Sequence, residues 1–265
     1  MGMARYFRFL KAFAQISFKR QTAHRVSFVL AVAGKTLRMV LLVVYWSVVF
    51  KLAPLINAWD YERTLVFIAF YLTLENLAVM TFHRNLLYYF PALIRKGEFD
   101  AMLTKPISPL FYVSFRLLDV MDLVSTFTPI VLWGIIARRH PELVTFATGV
   151  KIAAFLILGY CFLFALTVLV SASVFWAMTR TGTGRAYEGF IRINRFPLDF
   201  LPRPVRIAFT YVIPIALIAT VPAKAVFNLP VMPAALGGAS ATVILFAFAY
   251  EAWQRGMRRY SSASS

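Results

Sequence analysis

LVTFATGVKIAAFLILGYCFLFALTVLVSASVFWAM, residues 143–178, carries a single charge, Lys151. A helix needs about 20 consecutive apolar residues to cross a bilayer, and this run exceeds that length. The surplus must be absorbed by tilt, by a kink or by helix emerging from the membrane. A helix also satisfies its own backbone hydrogen bonds in lipid, where no water can. The run therefore sets the class: an all-α membrane protein.

Outward from it, five further stretches read as membrane-crossing segments, at 37–56, 64–82, 113–137, 207–227 and 234–253, giving about six transmembrane helices. The apolar stretch 26–34 allows the first to start earlier. A tight turn at 138–142 joins the third to the fourth. The last begins with small residues, Gly237, Gly238, Ala239, Ser240 and Ala241, which let helices approach closely. Ahead of the first lies residues 1–25. There Arg5, Arg8, Lys11, Gln15 and Lys19 share one helical face, and Tyr6, Phe9, Leu10, Phe13 and Ala14 the other. This predicts an N-terminal amphipathic interfacial helix on an anionic leaflet. The same residues lack the apolar core and small-residue site of a cleaved signal. The chain reads as one transmembrane domain over 1–265, with no room for a second soluble unit.

Composition agrees. Hydrophobic residues make up 60% of the chain and charged ones 15%, against about 45–50% and 25% in soluble domains. The net charge of +17 would suggest nucleic acid in a soluble protein. With the N-terminus inside, however, twenty-two basic residues fall in cytoplasmic segments and six, Lys51, Arg63, Arg138, Arg139, Lys151 and Lys224, outside. That is the positive-inside bias, and no nucleic acid is needed to explain it. Both termini are then cytoplasmic. Cys161 is single and lies in an apolar run, which excludes an internal disulfide and argues for packing.

Motifs of soluble enzymes are absent. Gly34-Lys35-Thr36 resembles the end of a phosphate-binding loop, but Val29 stands where its first glycine is required. The chain cannot hydrolyse ATP by that route. His24, His83 and His140 lie near span ends, where interfacial solvation accounts for them. Ionisable groups inside a membrane are costly and mark pathways or relays. Glu75 lies mid-way along the second segment, and Asp119 and Asp122 lie one turn apart in the third. Asp119 reads as the i,i+3 partner of Arg116. Glu75 and Asp122 are candidates for lining a cavity or pairing across helices. As proton sites they would suit an ion-coupled carrier, although such carriers often have two similar halves and no internal repeat is visible. No convergent polar cluster supports a lipid-modifying enzyme.

Residues 84–112 are too charged to span. Leu86, Leu87, Phe90, Leu93 and Ile94 recur at helical spacing, and Gly97 permits a sharp turn. Glu98 and Asp100 suit the first turn of a new helix, while Pro106 and Pro109 end it and redirect the chain. A short rigid helix between turns can dock on a partner or serve as an ordinary interfacial connector.

IRKGEFD at 94–100, Leu103, and KPISPLF at 105–111 resemble the cytoplasmic-loop signature of ATP-binding-cassette permeases of the second exporter class. The nearest pattern is Gly-Glu-Leu-Asp…Arg-Pro-x-Asn-Pro-Leu, from which Phe99, Lys105 and Ser108 depart mildly. A second match is RFPLDFLP at 195–202, followed by Pro214 and by Val221-Pro222-Ala223. The resemblance covers essentially the whole chain. It implies an exporter permease without catalytic residues or cofactors of its own, in a bacterial inner membrane. ATP and Mg would belong to a separate ATPase dimer, and a second permease subunit, identical or related, would complete the pathway. Ile94, Gly97, Glu98, Asp100, Leu103, Pro106 and Pro109 would form the cytoplasmic coupling helix and its flanks. The resemblance also implies a fifth span near 184–195, with a re-entrant hairpin over 200–227 marked by Pro197, Asp199, Pro202, Pro214 and Pro222. Hydropathy prefers 207–227 as the span, since Arg185, Glu188, Arg192 and Arg195 are costly in lipid. Over 197–228 both readings stand.

Overall fold

A computed structural model of the chain describes residues 3–21, 25–118, 127–177 and 182–260. Helix α1, Met3–Gln21, precedes α2, Arg25–Leu52. Pro54 stops α2, because the residue before a proline is pushed out of helical conformation. The chain then reverses at Ile56–Trp59, where the two residues exchange backbone hydrogen bonds of 2.9 and 2.8 Å. Asn57 and Ala58 supply the positive φ values, 48° and 66°, that such a turn requires.

Helix α3, Tyr61–Ala78, starts where the Asp60 side chain accepts from the Arg63 N–H at 2.8 Å. Its central turns bury side chains on every face and form the centre of the bundle, with Leu65 to Leu72 all buried. Its helix continues through two π-helical stretches, Val79–His83 and Asn85–Tyr89, into α4, Phe90–Arg95. Pro91 explains the widening of the second, since it can neither donate to the Leu87 carbonyl nor pack against it. After a turn come α5, Asp100–Leu103, and α6, Pro109–Phe115. Helix α1 lies on α6 through Tyr6 against Phe111 and Phe13 against Tyr112, ring centroids 4.7 and 5.3 Å apart. The Ser17 hydroxyl also accepts from the Leu118 N–H at 3.2 Å.

Helix α7, Phe127–Arg139, leads through a turn at His140 to α8, Phe146–Ala172, capped by Thr145. Short α9, Val174–Ala177, follows, and then α10, Gly182–Arg192. Proline breaks the next stretch into α11, Arg203–Ile207, a π-turn Ala208–Val212, a 3-10 turn Ile215–Leu217 and α12, Thr220–Val226. The last helix, α13, is Met232–Arg259 and runs along α8.

Four helical stretches among the described residues are long and apolar enough to cross a membrane: Val32–Leu52, Tyr61–His83, Phe146–Trp176 and Met232–Arg259. Within them 67% of the central stretch is buried, against 11% of the first and 22% of the last. The outer helices expose apolar residues such as Leu41, Val44, Val243, Ile244 and Phe248, as a surface solvated by lipid does. Two expected spans differ from this set. At 113–137, α6 ends at Phe115, residues 119–126 lie outside the described residues, and α7 has only 13 residues, about 20 Å. At 207–227 the helix breaks at Pro214, and neither arm reaches the roughly 30 Å of a hydrocarbon core.

The bundle has two ends. The loop end gathers the turns at 53–60, 140–145 and 227–231: Arg139 Nη1 donates to Glu62 at 2.8 Å, Arg63 stands over the Phe227 ring, and Lys151 bonds Asn228. The tail end carries α4, α5 and the last turn of α13.

Candidate functional site

Three constellations carry polar or exposed chemistry, and the first is the connector at the tail end. Lys96 and Gly97 close α4, with N–H groups donating to Ala92 and Ile94 carbonyls, and Gly97 takes φ 68°. The Glu98 N–H then returns to Leu93 at 3.1 Å. Phe99 is fully buried. Its ring centroid lies 5.5 Å from Phe90, 5.3 Å from Tyr260 and 6.2 Å from Phe175. Trp253 of α13 completes the block against Phe90 and Phe175. Such edge-to-face pairs favour a fixed mutual geometry. Gly256 makes room for Phe175, because a Cβ there would lie 2.2 Å from its ring. The connector is thus fastened to α9 and α13, while Lys96, Glu98, Leu103, Lys105 and Pro106 remain exposed. Ile94 is buried at 3% and serves as an anchor. Gly97, Asp100 and Pro109 are half-buried.

Behind the connector, Asn85 is buried at the π-helical segment. Its amide donates to the carbonyls of Thr81, Ser114 and Leu117 at 2.7, 2.9 and 2.8 Å, tying the second long helix to the end of α6.

The second constellation is a cavity of about 220 Å³ between α3 and α10, lined by Tyr71, Glu75, His83, Tyr187, Glu188, Arg192 and Arg195 among others. Glu75 does not face it as a free carboxylate. Arg38 of α2 holds it with both guanidinium nitrogens, one bond being 3.0 Å. Glu188 accepts from the Tyr88 hydroxyl and lies 3.6 Å from Arg192. His83 packs edge-on against Tyr187 at 4.9 Å. Both acids of the groove are thus held by arginines.

The third lies at the loop end. Asp199, 11% exposed, receives Trp59 Nε1 at 2.8 Å, the Lys224 ammonium and, at 3.4 Å, Arg206 Nη1. Asn57 donates to its carbonyl at 3.3 Å. One carboxylate thus pins the turn at 56–59 to both arms of the Pro-broken segment. Pro197 and Pro202 start the short turns on either side of it, Pro214 sits at the break, and Pro222 falls in the first turn of α12, where a proline is tolerated. Nearby, His140 faces Glu142 through Nδ1 at 2.7 Å and Glu62 through Nε2 at 3.2 Å. The Glu142 hydrogen bond, with help from Glu62, raises its imidazole above the ordinary histidine range.

The sequence profile described as ABC-2 family transporter protein matches residues 36–264. The chain belongs to the ABC-2 transporter family. Comparison with curated proteins and with solved structures finds no match. Family membership makes this chain a multi-pass, membrane-embedded transport subunit of the permease type, consistent with its not being an enzyme itself. Permeases of this family generally work with an ABC ATPase partner.

Of the residues singled out in the ABC-2 permease sequence, the connector set lies together at the tail end. Glu75 lies in the groove, and Asp199 lies with Pro197 and Pro202 at the loop end. Asp119 and Asp122 lie outside the described residues. Sequence reasoning missed Arg38 as the partner of Glu75, missed that Arg206 and Lys224 share Asp199, and missed the aromatic block. Only the spacing of Trp253 and Gly256 on one face of α13 could have hinted at the last.

Proposed function

We propose that this ABC-2 permease is the membrane-spanning subunit of an ATP-driven exporter in a bacterial inner membrane, working by alternating access. ATP and Mg are bound by a separate ATPase dimer. That dimer docks on the exposed side of the 96–106 connector, and a second permease, identical or related, completes the pathway. The observation that carries this reading is the connector itself: a polar, exposed turn fastened through Phe99 to α9 and α13. A push on Glu98 or Leu103 is passed to two helices rather than absorbed by a loose loop.

The same reading assigns six crossings, with both termini cytoplasmic and α1 at the cytoplasmic interface. The tail end is then inside. The segment 200–227 is a re-entrant hairpin dipping from outside, preceded by a fifth crossing through α10. Asp199 and Asn228 both contacting loop-end residues supports this, because a chain that leaves and returns at one end has not crossed between. Arg38 pairing with Glu75 counts against an ion-coupled carrier, since a proton site needs a carboxylate free to neutralise.

The test is purification of the chain from its own host beside Glu98→Lys, with co-purifying proteins identified by mass spectrometry. An ABC ATPase accompanies the parent and falls about tenfold with the charge reversal. No ATPase with the parent, even after crosslinking, overturns the reading.

A further inference from the structure

At the loop end a second cavity, about 370 Å³, opens between the Pro-broken segment and the start of α13. Arg203, Arg206 and Lys224 reach it from two different elements, and Asp199 is the one acid on its wall. Asp199 is already shared by Arg206 and Lys224, and Arg203 forms no ion pair among the described residues. The cavity therefore holds about two positive charges more than it can neutralise. The first turn of α13 borders it at Val231 and Ala234, and Val231 gives that turn no side-chain cap, so its N–H groups add to the positive field. Below the charges the wall becomes apolar. Ile207 and Tyr211, 47% and 44% exposed, continue from the cavity onto the outer surface of the hairpin.

We propose that this cavity binds an anionic amphiphile of the phospholipid class. Arg203, Arg206 and Lys224 hold its phosphate, and its chain lies along Ile207 and Tyr211. Three converging cations suit a phosphate, which offers several acceptor oxygens at once. A neutral or cationic headgroup would leave the excess charge in place. The inference rests on the cavity alone and does not depend on the ATPase.

The full-length chain in detergent is titrated with dioleoylphosphatidylglycerol, dioleoylphosphatidylcholine and inorganic phosphate, and binding is read by native mass spectrometry. Phosphatidylglycerol binds at least about tenfold more tightly than phosphatidylcholine. Arg203→Gln, an exposed position whose loss leaves the melting temperature of the lipid-free protein unchanged, removes about tenfold of that preference. Arg206→Lys retains most of it. Lys51→Gln, at the same end but off the cavity, retains all of it. Equal binding of the two lipids overturns the proposal, as does a preference that survives Arg203→Gln or falls equally with Lys51→Gln. Inorganic phosphate binding as tightly as phosphatidylglycerol assigns the cavity to a free anion and overturns the amphiphile.

Discussion

His140 stands between two carboxylates, one on each ring nitrogen, so only the imidazolium can donate to both. Its raised pKa fixes the sign of the pH dependence. The contribution is complete below the ordinary value of 6.5 and is lost as pH rises through the higher value of the folded protein. His140→Gln should therefore lower the melting temperature by about 2 °C near pH 6, and the gap to the parent should narrow as pH rises above the ordinary histidine range. A gap independent of pH would mean that His140 acts by packing against Phe227 alone. The cost of intramembrane charge made Glu75 legible in the sequence. Its partner was not, because Arg38 lies 37 positions away on another helix and no local pattern joins them. Asp199 was legible as part of a motif, but its role as a shared counter-ion depends on tertiary folding of residues far apart in the chain.

Among the elements, α3, α8 and α13 were the most readable, because each is a long, largely apolar helix. Boundaries moved where proline intervened: Pro54 ends α2 early, Pro91 widens the end of the second long helix, and Pro214 divides a run that hydropathy alone joins. The small-residue start of α13 was read correctly as a site of close approach. A Cβ at Gly238 would lie 2.9 Å from Leu217, and at Gly237 2.6 Å from Tyr211. The fit at the other end of α13 is tighter still. Gly256→Val should destabilise the protein by about 1–3 kcal/mol, because the Phe175 ring and the Phe99 block must move. Limited proteolysis should then cut at 96–106 faster than in the parent. An unchanged cleavage rate would show that the connector does not depend on this contact.

At the scale of the whole molecule, the class was plain from composition, yet the path of 184–227 was not, because hydropathy and the family resemblance favoured opposite routes. Within that stretch Glu188 pairs with Arg192 and Tyr88, and Asp199 with Arg206 and Lys224. Topology can be read with single cysteines in a Cys161→Ala background. A membrane-impermeant maleimide should label Arg203→Cys and Asn228→Cys in intact cells, and Lys96→Cys only after permeabilisation. Labelling of Arg203→Cys only after permeabilisation would make 207–227 a true crossing. The aromatic block has a practical corollary as well. Because Phe99, Trp253 and Tyr260 share one packed unit, the last turn of α13 cannot stay still while the connector moves. If an ATPase docks on the connector as proposed, a fluorophore on Arg258→Cys, in that last turn, should change its emission when ATP is added with the ATPase.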